Sequence, residues 1–191
     1  MNLPNRLTLL RILLSFLLIV FLLIPGLAAK GAALLVFTLA ALTDWWDGRL
    51  ARRQGLVTDF GILMDPIADK VLVLSAFVAF VQLQVVAAWM VVLIATREFI
   101  ITGLRLFALG KGQVLPAEAA GKHKTVSQMV AISLTLLYLV AREATHTGPA
   151  AEAWVRFGPL AIDALMGLTV ALTLTSGISF LWRHRRVILH L

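Results

Sequence analysis

The sequence predicts an all-α integral membrane protein, a bundle of six transmembrane helices in one domain spanning residues 1–191, and three observations carry that prediction. The chain is 60% hydrophobic and only 14% charged, with a mean hydropathy of +0.93, far from the mixture of a water-soluble domain. Apolar runs of the length needed to cross about 30 Å of hydrocarbon recur along it. The basic residues segregate to one side of those runs. Backbone groups in hydrocarbon must be satisfied within the element, and the runs are too long and too continuous for barrel strands, so helices are the predicted element.

The first span, near 8–28, is longer than a signal-peptide core and carries Arg11 inside it, and no small-residue cleavage pattern follows; it reads as a retained helix. Pro25-Gly26 punctuates the turn into a second span near 31–50. The third and fourth, near 63–82 and 86–107, are separated by a short connector. The fifth, near 124–141, is followed by Gly148-Pro149 and a sixth near 158–182. No internal repeat is visible, and cysteine is absent, which removes disulfides, thiolate nucleophiles and Cys-ligated metal centres.

With both termini on one side, only Lys30, Arg142 and Arg156 of the 17 lysines and arginines fall on the opposite side. The positive-inside rule then makes the termini, and the loop between spans two and three, cytoplasmic. The net charge of +7 is mostly this topology signal. Nucleic acid is not an expected partner, because a soluble basic face with interleaved aromatics is missing. Membrane lipids are expected partners, since basic side chains near the surface attract anionic headgroups.

Chemistry concentrates in TDWWDGRLARRQGLVTDFGILMDPIADK, where acidic residues sit at the ends of two hydrophobic spans. Helical spacing puts Asp44, Asp47 with Gly48, and Ala51 with Arg52 on one stripe of the second span, and Gly61, Asp65 and Asp69 on one stripe of the third. Both stripes end at the cytoplasmic face, so the four carboxylates are expected to converge at one depth. Isolated buried carboxylates neutralise by protonation, whereas four converging oxygen donors suit hard divalent cations, Mg2+ or Mn2+, as a pair of ions. Gly48, Ala51 and Gly61 would form a floor against which a ligand or backbone approaches closely, while Arg52 is placed either to contact a diphosphate or to pair with an aspartate. An ion transporter would also gather intramembrane acids, but near midplane in broken helices with internal repeats.

The segment from Asp44 to Asp69 matches D-x2-D-G-x2-A-R-x8-G-x3-D-x3-D at every fixed position, and by it the chain resembles the CDP-alcohol phosphatidyltransferase family. The opening MNLPNRLTLLR, LMDPIADK and AGKHKTVSQ at 120–128 resemble the branch of that family using glycerol 3-phosphate as acceptor. The resemblance implies transfer of the phosphatidyl group of CDP-diacylglycerol to glycerol 3-phosphate with release of CMP, in a homodimer in a bacterial cell membrane with its active site cytoplasmic. It implies Asp44, Asp47 and Asp65 as metal ligands and Asp69 as general base that also touches a metal. Siblings of the family take inositol phosphate, serine or phosphatidylglycerol instead, and the signature does not separate them. The resembling amino-terminal stretch would form a short interfacial helix started by Pro4, with Asn5 and Thr8 reaching the nucleotide.

An acceptor carrying a phosphate requires cations, for which Arg97 and Arg105 on the fourth span and Lys122 and Lys124 opening the fifth are the candidates, with Glu98 as a possible orienting partner for an arginine. No histidine enters the catalytic set. His123, His146, His184 and His190 fall in loops or the tail, outside any His-x-Lys-x4-Asp box of the kind a covalent phosphatidyl route would need.

Overall fold

The computed structural model describes the backbone of residues 3–54, 59–113, 115, 119–144 and 149–189, and the side chains at 7–43, 64, 67–113, 115, 123–144 and 152–185. Six helices make up the described chain: α1 (Leu3–Leu23), α2 (Leu27–Gln54), α3 (Asp59–Gln82), α4 (Ala88–Gly110), α5 (Ala119–Ala144) and α6 (Pro149–Leu189). No strand occurs among the described residues.

The expected short interfacial helix is not a separate element, because residues 3–23 form one continuous helix. Pro4 lies in its first turn, where the missing N–H has no intrahelical acceptor to lose, so nothing divides the interfacial stretch from the span. α6 likewise runs well beyond the span expected at 158–182 and contains Pro159. In a bundle, neighbouring helices support the backbone around such a proline.

Two turns have visible causes. After α1, Gly26 takes a φ of 102°, a left-handed conformation costly for residues with a Cβ, and the chain reverses into α2. Lys30, itself buried, donates from Nζ to the carbonyls of Leu22 and Ile24, satisfying acceptors that the end of α1 leaves open. After α4, Lys111 N donates to the Ala108 carbonyl (3.0 Å) and Gly112 carries a φ of 73°.

α5 packs most extensively on α6, and α1 on both α2 and α3; α4 joins α3 to α6. The core runs through Leu18, Leu22, Phe37, Phe77, Phe80 and Leu139, with Phe77 and Phe80 edge to face at 6.4 Å. Gly158 lets α6 approach α5 closely, since a Cβ there would stand 2.4 Å from the Tyr138 ring. Interior hydroxyls return to their own helices: Thr135 to the Ala131 carbonyl (2.7 Å), Thr169 to Leu165 (2.8 Å) and Ser15 to Arg11 (2.8 Å). That pattern satisfies polar groups without water.

The outward face is apolar, with Leu13 at 64% exposure, Phe16 at 60%, Phe99 at 62% and Leu160 at 71%. Such a surface exceeds what a water-soluble monomer presents and fits a lipid environment. His123–Ala144 and Glu152–Arg185 are long and apolar enough to cross a membrane, and Leu7–Leu23 and Leu27–Thr43 are shorter apolar helices.

Candidate functional site

The link 55–58 is short, so chain reach alone brings the last turns of α2 and the first turns of α3 to one end of the bundle. Asp44, Asp47, Gly48, Ala51 and Arg52 lie in those last turns of α2, and Gly61, Asp65 and Asp69 on α3. Both stretches are unbroken helix, which puts Asp44 and Asp47 on one face about 4.5 Å apart along the axis, and Asp65 and Asp69 on another about 6 Å apart. By residue type, a set of four aspartates fits a hard divalent cation. Of these eight residues only Asp69 has a described side chain, so the expected convergence of the four carboxylates and the small-residue floor lie outside the described residues. The same holds for Asn5 and Lys122.

Around Asp69 the described side chains form a definite structure. A small cavity of about 50 Å³ is lined by Asp69 and Lys70 of α3, Glu98 of α4, and Lys124, Thr125 and Gln128 of α5, with Val73 and Leu74. Its anchor is Glu98, which is 4% exposed. One carboxylate oxygen, Oε2, lies 3.4 Å from Lys70 Nζ. The other, Oε1, accepts from Lys124 Nζ, from Gln128 Nε2 at 3.4 Å and from Arg97 Nη1 at 3.4 Å. A carboxylate this deeply buried is tolerable only with such partners.

Of the candidate acceptor-binding cations, Arg97, Arg105 and Lys124 have described side chains, and each has its own bonding partners. Lys124 faces the cavity beside Asp69. Arg97 turns toward α6, donating from Nη2 to Ser176 Oγ at 2.8 Å, and its stem packs where Gly177 leaves room. Arg105 donates from Nε to the Leu115 carbonyl at 3.3 Å, holding the segment after α4 against the small cluster of Ile101, Ala108, Leu115 and Phe180. Thr8 is buried in the first turns of α1.

Among the cavity residues without a site role in the sequence are Lys70 and Gln128, both of which bond Glu98. Each had a usable signal: Lys70 directly follows Asp69, and Gln128 lies one turn beyond Lys124 on the same face of α5.

The described groups offer a carboxylate able to accept a proton and two ammonium groups able to meet an anion, all at one cavity. Comparison with known proteins bears on what that cavity serves. Residues 1–182 match the family model described as CDP-alcohol phosphatidyltransferase. The chain is 43% identical over 149 residues to the CDP-diacylglycerol–glycerol-3-phosphate 3-phosphatidyltransferase of Bacillus subtilis (strain 168), covering 72% of this chain and 77% of the relative. It is 38% identical over 190 residues to a Mycobacterium tuberculosis (strain ATCC 25618 / H37Rv) protein named "Probable phosphatidylglycerophosphate synthase", covering 97% and 82%. A Rickettsia typhi (strain ATCC VR-144 / Wilmington) relative, named like that of B. subtilis, is 42% identical over 137 residues, covering 71% and 76%.

Proposed function

Because the chain belongs to the CDP-alcohol phosphatidyltransferase family, and so is a transferase of phospholipid biosynthesis, we propose that it moves the phosphatidyl group of CDP-diacylglycerol to glycerol 3-phosphate, giving phosphatidylglycerophosphate and CMP. The observation that carries the reading is the whole signature from Asp44 to Asp69 in a chain whose relatives are named for this acceptor. The two lysines beside Asp69 support it, because a phosphorylated acceptor needs positive charge next to the group that activates its hydroxyl.

In this reading Asp69 takes the proton of the acceptor hydroxyl. The freed oxygen attacks the lipid-bearing phosphorus, the bond from that phosphorus to the bridging oxygen breaks, and CMP departs with the electron pair. The displacement is direct, with no phosphatidyl group on the protein. Asp44, Asp47, Asp65 and Asp69 are the residues that would hold the divalent metal, Mg2+ or Mn2+, as two ions. Bound metal would supply charge neutralisation at the diphosphate. Arg52, with Gly48, Ala51 and Gly61, lines the diphosphate, and Asn5 and Thr8 approach the nucleotide from the first turns of α1, at the membrane interface. Arg97, Arg105, Lys122 and Lys124 supply the cationic character of the acceptor side.

All six helices span a bacterial cell membrane as one domain, with both termini and the active site cytoplasmic, and the working protein is a homodimer. Support for the orientation is the near absence of basic residues from the opposite side.

The test is metal-dependent CMP release from CDP-diacylglycerol by the purified protein with glycerol 3-phosphate, inositol phosphate or serine as acceptor. Release with glycerol 3-phosphate alone is expected. Release only with another acceptor would move the protein to a sibling activity. Phosphatidyl label retained on the denatured protein would overturn direct displacement.

A further inference from the structure

We propose that Glu98 is the positioning residue of the acceptor site, holding Lys70 and Lys124 side by side at the Asp69 cavity so that the pair receives the acceptor's phosphate; this rests on the reading of a phosphorylated acceptor. Glu98 comes from α4, whereas the lysines come from α3 and α5. Its two carboxylate oxygens are divided between them, Oε2 toward Lys70 and Oε1 toward Lys124.

A lysine ammonium sits on a flexible stem with several rotatable bonds, and two of them converging on one cavity repel each other. A shared carboxylate between them removes both problems, since each ammonium is drawn to its own oxygen and both remain on the cavity wall with Asp69. The carboxylate is itself fixed. Arg97 bonds it from its own helix while being tied to Ser176, and Gln128 bonds it from α5, one turn beyond Lys124.

The charges are consistent with this role. Three cations, Lys70, Arg97 and Lys124, meet two carboxylates, Glu98 and Asp69, which leaves a surplus of one positive charge at the cavity. A phosphate monoester carries about 1.5 to 2 negative charges near pH 7, so the surplus attracts it and offsets a good part of its charge. A cluster whose only task was to tie helices together would be better served by equal numbers of opposite charges. Gln128 also bonds the carboxylate oxygen and brings no charge.

The experiment is steady-state CMP release by the full-length protein in detergent micelles, varying each substrate at saturating levels of the other, for the wild type, Glu98→Gln and Glu98→Asp. Glu98→Gln keeps the shape but turns an amide against the lysines. It should raise the glycerol 3-phosphate KM by about 10- to 100-fold while the CDP-diacylglycerol KM changes less than about twofold. Glu98→Asp, which restores the charge one methylene short, should recover most of that loss. A glycerol 3-phosphate KM unchanged in Glu98→Gln, or an equal rise for both substrates, would overturn the proposal. Should Glu98→Gln fail to fold, Glu98→Asp alone is decisive: a smaller rise confined to glycerol 3-phosphate supports the role and no rise overturns it. A wild type active only with inositol phosphate would sink the glycerol 3-phosphate reading but not this one, which is then read from inhibition of CMP release by inorganic phosphate, whereas activity with serine alone would overturn both. Inhibition weakened in Glu98→Gln supports it, and inhibition equal in the two proteins, or absent from the wild type, overturns it.

Discussion

The Asp69 carboxylate borders a cavity walled by two lysines, whereas Asp44 lies in the last turns of α2. The two residues should therefore respond differently to the same substitution. Asp69→Asn is expected to lower kcat by at least about 100-fold, the scale of a lost general base, while Mn2+ binding measured by titration calorimetry partly survives. Asp44→Asn is expected to lose both turnover and metal. Equal loss of metal in the two variants would end the division between base and ligand. Arg105 invites a more graded test. Its Nε bond to the Leu115 carbonyl organises the segment after α4, so Arg105→Ala should raise the glycerol 3-phosphate KM and spare CDP-diacylglycerol binding. An unchanged KM would confine this arginine to holding the loop.

At the level of the helices, the α5–α6 seam depends on one missing side chain. A Cβ on Gly158 would stand 2.4 Å from the Tyr138 ring, so Gly158→Val should lower stability by about 1–3 kcal/mol, seen as earlier thermal unfolding in detergent, with both KM values retained by the surviving fraction. The helices were largely legible in the sequence because lipid leaves the chain one solution: a long apolar run must be a helix, and its length states the span. Their ends were less so. Pro4 signals a helix start without saying whether the helix stops before the membrane, and Pro159, a breaker by local rules, is carried within α6 by its neighbours. The site divides in the same way. Asp44, Asp47, Asp65 and Asp69 stand at spacings that period alone makes meaningful. The contacts of Glu98 with Lys70, Lys124 and Gln128, and of Arg97 with Ser176, join residues far apart in the chain, and no local spacing encodes them.

For the molecule as a whole, the lack of native cysteine permits a direct check of how it sits in the membrane. Single cysteines in place of the exposed Gln113 and Ala144 should behave oppositely in intact cells. Gln113→Cys should be shielded from a membrane-impermeant maleimide, and Ala144→Cys should be labelled. The reverse pattern would invert the topology. The Glu98 cluster, finally, has a bearing on how the protein is made. It draws on α3, α4 and α5 and, through Arg97 and Ser176, on α6, so synthesis from the amino terminus delivers its parts at different moments. When α4 first leaves the ribosome, Glu98 has Lys70 and Arg97 at hand, and the nascent chain can enter lipid with its carboxylate already accompanied. Lys124 arrives a helix later and Ser176 last of all. A ribosome stalled after α4 would leave every signature aspartate made but Lys124 missing, so roughly the final two fifths of the message supplies the second lysine that Glu98 holds.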